Sequence, residues 1–153
     1  MFTLGLAYTP KIQNRYPHML QEDIIIWRRF IENGDFLPDV VWYDIHCGNH
    51  VGLSVDDPDW MTQMSLGITR KRIDVVGRVG SSYWIIEVKP RATYDAFGQV
   101  IFYAEQFKKD YKKNGQIYPV IITDFVDKDI LPLCDEIGIL VFEVGTKLQD
   151  DSG

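Results

Sequence analysis

Two acids and an amine interrupt otherwise apolar runs in RKRIDVVGRVGSSYWIIEVKP, residues 70–90: Asp74, Glu87 and Lys89. Charges inside strands that read as core cost folding free energy unless they are paired or bind an ion. Gly80-Ser81 suits a two-residue type II′ turn, with glycine at the first central position where positive φ is required. That turn sets Val79 opposite Ser82 and, by parity, Asp74 opposite Glu87, with Cβ atoms about 4.5–5.5 Å apart. Lys89 lies two residues on, on the same face and about 7 Å along the strand. In this register Ile73 and Val75, with Trp84, Ile86 and Val88, point to the other face and into the core.

Two opposed carboxylates repel, and desolvation adds to the cost. A divalent cation removes the repulsion, and one or two carboxylates completed by water and phosphate oxygens is the ligand set Mg²⁺ takes. Beside it, the Lys89 ammonium can orient a water, help deprotonate it, or stabilise charge developing on a phosphate. The competing account is a structural network in which the lysine bridges the two acids and no metal is needed.

The elements that must position these groups follow from periodicity. Leu20 to Ile31 reads as a helix with Leu20, Ile24, Trp27 and Ile31 on one stripe, closed by Asn33-Gly34. A strand follows at Val40 to His46, then an irregular stretch over 48–68 with a short helix after Pro58, then the two strands of the hairpin. Thr93 is a candidate cap for a helix running to about Lys113, with Phe97, Val100, Ile101, Ala104, Phe107 and Tyr111 at helical spacing. Ile117 to Thr123 reads as a strand, Asp129 to Ile137 as a helix and Ile139 to Glu143 as a last strand. The expected architecture is one α/β domain over residues 1–153, a mixed sheet with helices on both faces, its core at about 20–144 and a frayed tail over 145–153.

The spacing Asp74-x12-Glu87-x-Lys89, on two strands after an amphipathic helix and a first strand, resembles the PD-(D/E)xK nuclease superfamily with its restriction-endonuclease-like fold. Gln99 and Tyr103 stand one helical turn apart after the lysine and resemble the QxxxY motif of the RecB-like branch, in which such a glutamine lies close to the active site. The letters before the first acid are Arg-Ile-Asp rather than Pro-Asp. The resemblance implies a Mg²⁺-dependent nuclease, with Mn²⁺ able to substitute, that hydrolyses phosphodiester bonds, most readily in DNA. Asp74, Glu87 and the Val88 carbonyl would hold the metal, Lys89 would assist the attacking water, and Gln99 would position phosphate or water. The family often adds an acid from the first helix: family habit favours Glu22, whereas the helical wheel favours Asp23, which flanks the apolar stripe. A glycine loop for phosphate is not seen in the sequence, so NTP-driven action is not expected.

The net charge of −6 at first opposes a nucleic-acid partner, because Lys and Arg supply most of that affinity. Its distribution matters more: residues 124–153 hold eight acids against Lys128 and Lys147 and so carry the whole excess. Arg70, Lys71, Arg72, Arg78, Lys89 and Arg91 surround the buried charges, and Lys108, Lys109, Lys112 and Lys113 suit a helix C-terminus. A non-catalytic binding or assembly protein that keeps the nuclease fold, for example a viral one, is the alternative. A toxin or partner-regulated nickase, its basic face shielded by the acidic tail, is a further one. Sequence choice would come from a homodimer, a larger complex or the 48–68 loop.

His46, Cys47 and His50 read as a loop rather than a metal cluster, and Asp56, Asp57 and Asp59 lack the spacing of a calcium loop. Cys47 and Cys134 are too few for a disulfide framework. Neither a membrane span nor a signal peptide is visible, so the expectation is an intracellular, cytoplasmic protein.

Overall fold

The structure, a computed structural model, describes residues 2–47 and 72–145. Helix α1 (Gln21–Asn33) precedes strands β1 (Val40–His46), β2 (Arg72–Val79) and β3 (Ser82–Ala92), followed by α2 (Tyr94–Tyr111), β4 (Ile117–Val126), α3 (Leu131–Ile137) and β5 (Leu140–Glu143). The five strands form one sheet in the order β1-β2-β3-β4-β5. β2 runs antiparallel to both of its neighbours, β1 and β3, whereas β3, β4 and β5 run parallel. The sheet is mixed because a tight turn joins β2 to β3, while α2 carries the chain back to start β4 alongside β3.

Alternation along β3 and β4 assigns the two faces. Trp84, Ile86, Val88, Val120 and Ile122 pack with Ile24, Trp27, Phe30 and Ile31 of α1. Ile85 packs with Tyr103, Ala104 and Phe107 of α2, and Ile121 with Val100 of α2 and Cys134 of α3. Helices therefore cover both faces, α1 on one and α2 with α3 on the other. Burial of these faces holds the layers together at about 25 cal/mol per Å² of apolar surface removed from water. No helix among the described residues is long and apolar enough to cross a membrane.

Several boundaries differ from the sequence expectation. Leu20 stands just before α1 and is 63% exposed, so the buried stripe is carried by Ile24, Trp27, Phe30 and Ile31 together with Ile26. Gly34 closes α1 in a left-handed conformation, its N–H reaching the Phe30 carbonyl, as an Asn-Gly end should. Thr93 occupies the N-cap position of α2, but its side chain makes no capping bond. The helix ends at Tyr111 because Lys112 turns left-handed, so only Lys108 and Lys109 belong to its last turn. β4 continues past Thr123 to Val126, and α3 begins at Leu131 rather than Asp129. The short helix proposed after Pro58, together with His50, the aspartates at 56, 57 and 59, Arg70, Lys71 and the residues after Gly145, falls outside the described residues.

Candidate active site

The turn at Gly80 has the positive φ of 61° that a type II′ hairpin requires, while Ser81 is not among the positive-φ residues. Val79 pairs with Ser82, and the ladder runs in that register as far as Val75 opposite Ile86. It stops one pair short of Asp74 and Glu87. Beyond it an Asp74 carboxylate oxygen accepts the Val88 N–H at 2.9 Å, taking the donor that a continuing ladder would have used. Val88 thus joins the cluster through its N–H.

This break corrects the parity argument at one position. Ile73 does not share a face with Val75: Val75 packs toward α1, whereas Ile73 packs with Val76, Ile85 and Phe107 toward α2. The alternation changes across Asp74. β1 changes in step, since Val41 and Tyr43 pack toward α1 but Ile45 and Cys47 toward α2. Between them lies Asp44, a non-glycine residue at φ 55°, in the register position facing Asp74 between the pairs Tyr43↔Val75 and Ile45↔Ile73. Backbone in this region costs on the order of 1–3 kcal/mol and persists only where its surroundings enforce it.

The two acids of the hairpin meet. Glu87 hydrogen-bonds to Asp74, and its side chain is only 8% exposed. Burial pushes the Glu87 carboxyl well above its ordinary range, and the Asp74 charge pushes it further, against the pull of Lys89. Burial also raises Asp74, but the Val88 N–H, the Glu87 hydrogen bond and Lys89 all favour its ionised form. Of the two, Glu87 is the carboxyl that burial and its neighbour's charge push harder toward the neutral form. Lys89 Nζ stands 4.0 Å from Glu87 Oε2, with about a quarter of its side chain (27%) open to solvent.

Of the two first-helix acids, Asp23 turns toward the carboxyl pair and Glu22 toward solvent. Glu22 is exposed, whereas half-buried Asp23 is raised to about 6, first by burial and then by the charges of Asp74 and Glu22, with Lys89 opposing. Fully buried Trp27 sets this orientation: its indole N–H donates to the Tyr43 hydroxyl at 3.1 Å and fixes α1 on β1 next to Asp44.

Asp44 is an acid that the sequence reading did not single out, although VVWYDIH carries the same signal as the hairpin, a carboxylate inside an apolar strand. Burial raises it, while Arg72, His18 and His46 oppose the rise. His18 Nε2 lies 3.3 Å and Arg72 Nη1 3.4 Å from its Oδ2. On the α2 side, burial and then the Glu87 charge raise the Tyr103 hydroxyl above its usual range. Gln99 is exposed one turn earlier and lines a shallow depression of about 300 Å³ with Gly98, Phe102 and Tyr103.

Among the described residues, no three Asp, Glu, His or Cys side chains stand together as a ready-made metal cage. The donor set at Asp74 and Glu87 fits a different kind of ion, a hard cation that keeps most of its waters and needs only one or two carboxylates. No protein-family model, no curated protein and no solved structure matches this chain.

Proposed function

We propose that this chain is a divalent-metal-dependent nuclease with a restriction-endonuclease-like fold, most readily acting on DNA. The observation that carries this reading is the Asp74–Glu87 carboxyl pair at the end of the hairpin ladder with Lys89 4.0 Å from Glu87. The mixed sheet, with a helix before the first strand and a helix crossing from β3 to β4, is consistent with that fold.

Asp74, Glu87 and the Val88 carbonyl would hold Mg²⁺, or Mn²⁺ in its place. The ion would polarise the phosphate and lower the pKa of a bound water. The chain's own groups do the rest. With Glu87 ionised, its proton released to solvent, both carboxylates would be acceptors. The Lys89 ammonium, partly open to solvent, orients the attacking water and stabilises charge on the phosphate oxygens. Asp23 supplies a third carboxylate from α1, and Gln99 extends toward phosphate or water from α2.

The burial of the pair, with the Val88 N–H on Asp74 and Lys89 beside Glu87, also favours one second reading, a binding or assembly protein in which Asp74, Glu87 and Lys89 only brace the hairpin. Plasmid, linear and branched DNA, and RNA, incubated with Mg²⁺, Mn²⁺ or chelator beside Lys89→Ala, separate the two. Metal-dependent cleavage that falls about 100-fold or more in the variant supports catalysis. Inertness on every substrate leaves the brace.

A further inference from the structure

Two residues beyond Lys89 on β3, Arg91 pairs in register with Phe125 of β4, and Lys89 itself pairs with Thr123. The Arg91 guanidinium carbon stands 4.5 Å over the Phe125 ring centroid, and the ring is 48% exposed. This pair is held from several sides. The next rung, Ala92 with Val126, is buried, and the Asp127 N–H donates to the Ala92 carbonyl at 2.9 Å. The fully buried Thr123 hydroxyl accepts the Phe125 N–H at 3.3 Å and donates to the Phe125 carbonyl at 3.1 Å. An aromatic ring left half in water on so fixed a backbone is a rigid platform rather than a frayed end.

Two cationic side chains line this end of β3. Arg91 and Lys89 alternate along β3, and Asp124, the acid next to Phe125, is already paired with Arg29 of α1. Two residues along a strand span about 6.6 Å. That reaches from a phosphate at Lys89 to the base of a neighbouring nucleotide.

We infer that the Arg91–Phe125 pair is a stacking platform for an unpaired nucleobase next to the phosphate held at Lys89, so that the substrate is a single strand or a splayed end. The location of that phosphate rests on the nuclease reading above. A base inside a duplex has both faces covered by its neighbours, whereas an unpaired base offers one to an aromatic ring and a guanidinium plane. Such stacking is tolerant of sequence because every base has a π face.

The test measures fluorescence anisotropy, in chelator so that nothing is cut, with a short labelled single strand and with the same sequence as a blunt duplex. Phe125→Ala should weaken single-strand binding about tenfold and leave duplex binding within about twofold. Arg91→Gln, which keeps the ring, should weaken single-strand binding by about two- to fivefold, and Phe125→Tyr should retain it. Equal losses on both DNA forms, or no loss on either, overturn the platform; Arg91→Gln decides it if Phe125→Ala does not fold. A cleavage assay run in parallel separates this proposal from the one beneath it. Phe125-dependent single-strand preference without metal-dependent cleavage keeps the platform and removes the catalysis. Metal-dependent cleavage of both forms at equal rates, unaltered by Phe125→Ala, does the reverse.

Discussion

Asp23→Asn should make the metal-free protein more stable at pH 8. The Asp23 carboxyl rises from the ordinary 3.8 to about 6, because burial and the Asp74 and Glu22 charges disfavour its ionised form. Each tenfold change in proton affinity is worth about 1.4 kcal/mol, so the rise corresponds to at most about 3 kcal/mol. Asp23 is only half-buried, and solvent screening reduces the figure to about 1 kcal/mol. The sign follows from linkage. The folded state holds this proton more tightly than the unfolded chain, so the contribution to stability is intact below pH 3.8 and lost as pH rises through about 6. An amide cannot ionise. The variant should therefore melt about 2–4 °C higher than the wild type at pH 8 in chelator, and the gap should close as pH approaches 3.8. Thermal melts by circular dichroism across this range measure it directly. A variant that is less stable at pH 8, or a difference that does not change with pH, would show that Asp23 does not feel the other acids and that the cluster has been drawn wrongly.

The remaining expectations bear on the same site and on the turn that frames it. Asp74→Asn should abolish the rise in melting temperature that saturating Mg²⁺ produces by binding the folded state, a rise worth about 2.7 kcal/mol at a hundredfold excess over Kd; an undiminished rise would place the ion elsewhere. Glu22→Gln should leave cleavage within about twofold, whereas Asp23→Asn should lower it about tenfold or more, measured as initial rates at saturating metal. Gly115→Ala should destabilise the fold by at least about 2 kcal/mol in urea melts, because Gly115 has φ 105° and an added Cβ would fall on the Ser81 carbonyl oxygen. Gly77→Ala should cost about 1–3 kcal/mol by pressing on Pro38, 2.8 Å from the added carbon.

What the amino-acid order determined by itself is what short-range chemistry determines. Gly80-Ser81 imposes a hairpin register, so Asp74 and Glu87 are bound to approach each other, with Lys89 nearby. Apolar periodicity likewise places the helices and strands of a mixed α/β sheet within a few residues, because each element buries its own stripe or face. The helical wheel already favoured Asp23 over Glu22, but the tertiary structure decided that this side of the helix meets the carboxyl pair. Glu22 and Asp23 are adjacent in sequence, and the seating of α1 through Ile24, Trp27, Phe30 and Ile31 turns Asp23 inward and leaves Glu22 in water. It also decided where the ladder stops: the Asp74 side chain takes the Val88 N–H at the position on β2 that faces left-handed Asp44 of β1. Both outcomes depend on residues far apart in the chain packing against one another. Turn chemistry and periodicity act over a few residues and carry no information about that packing.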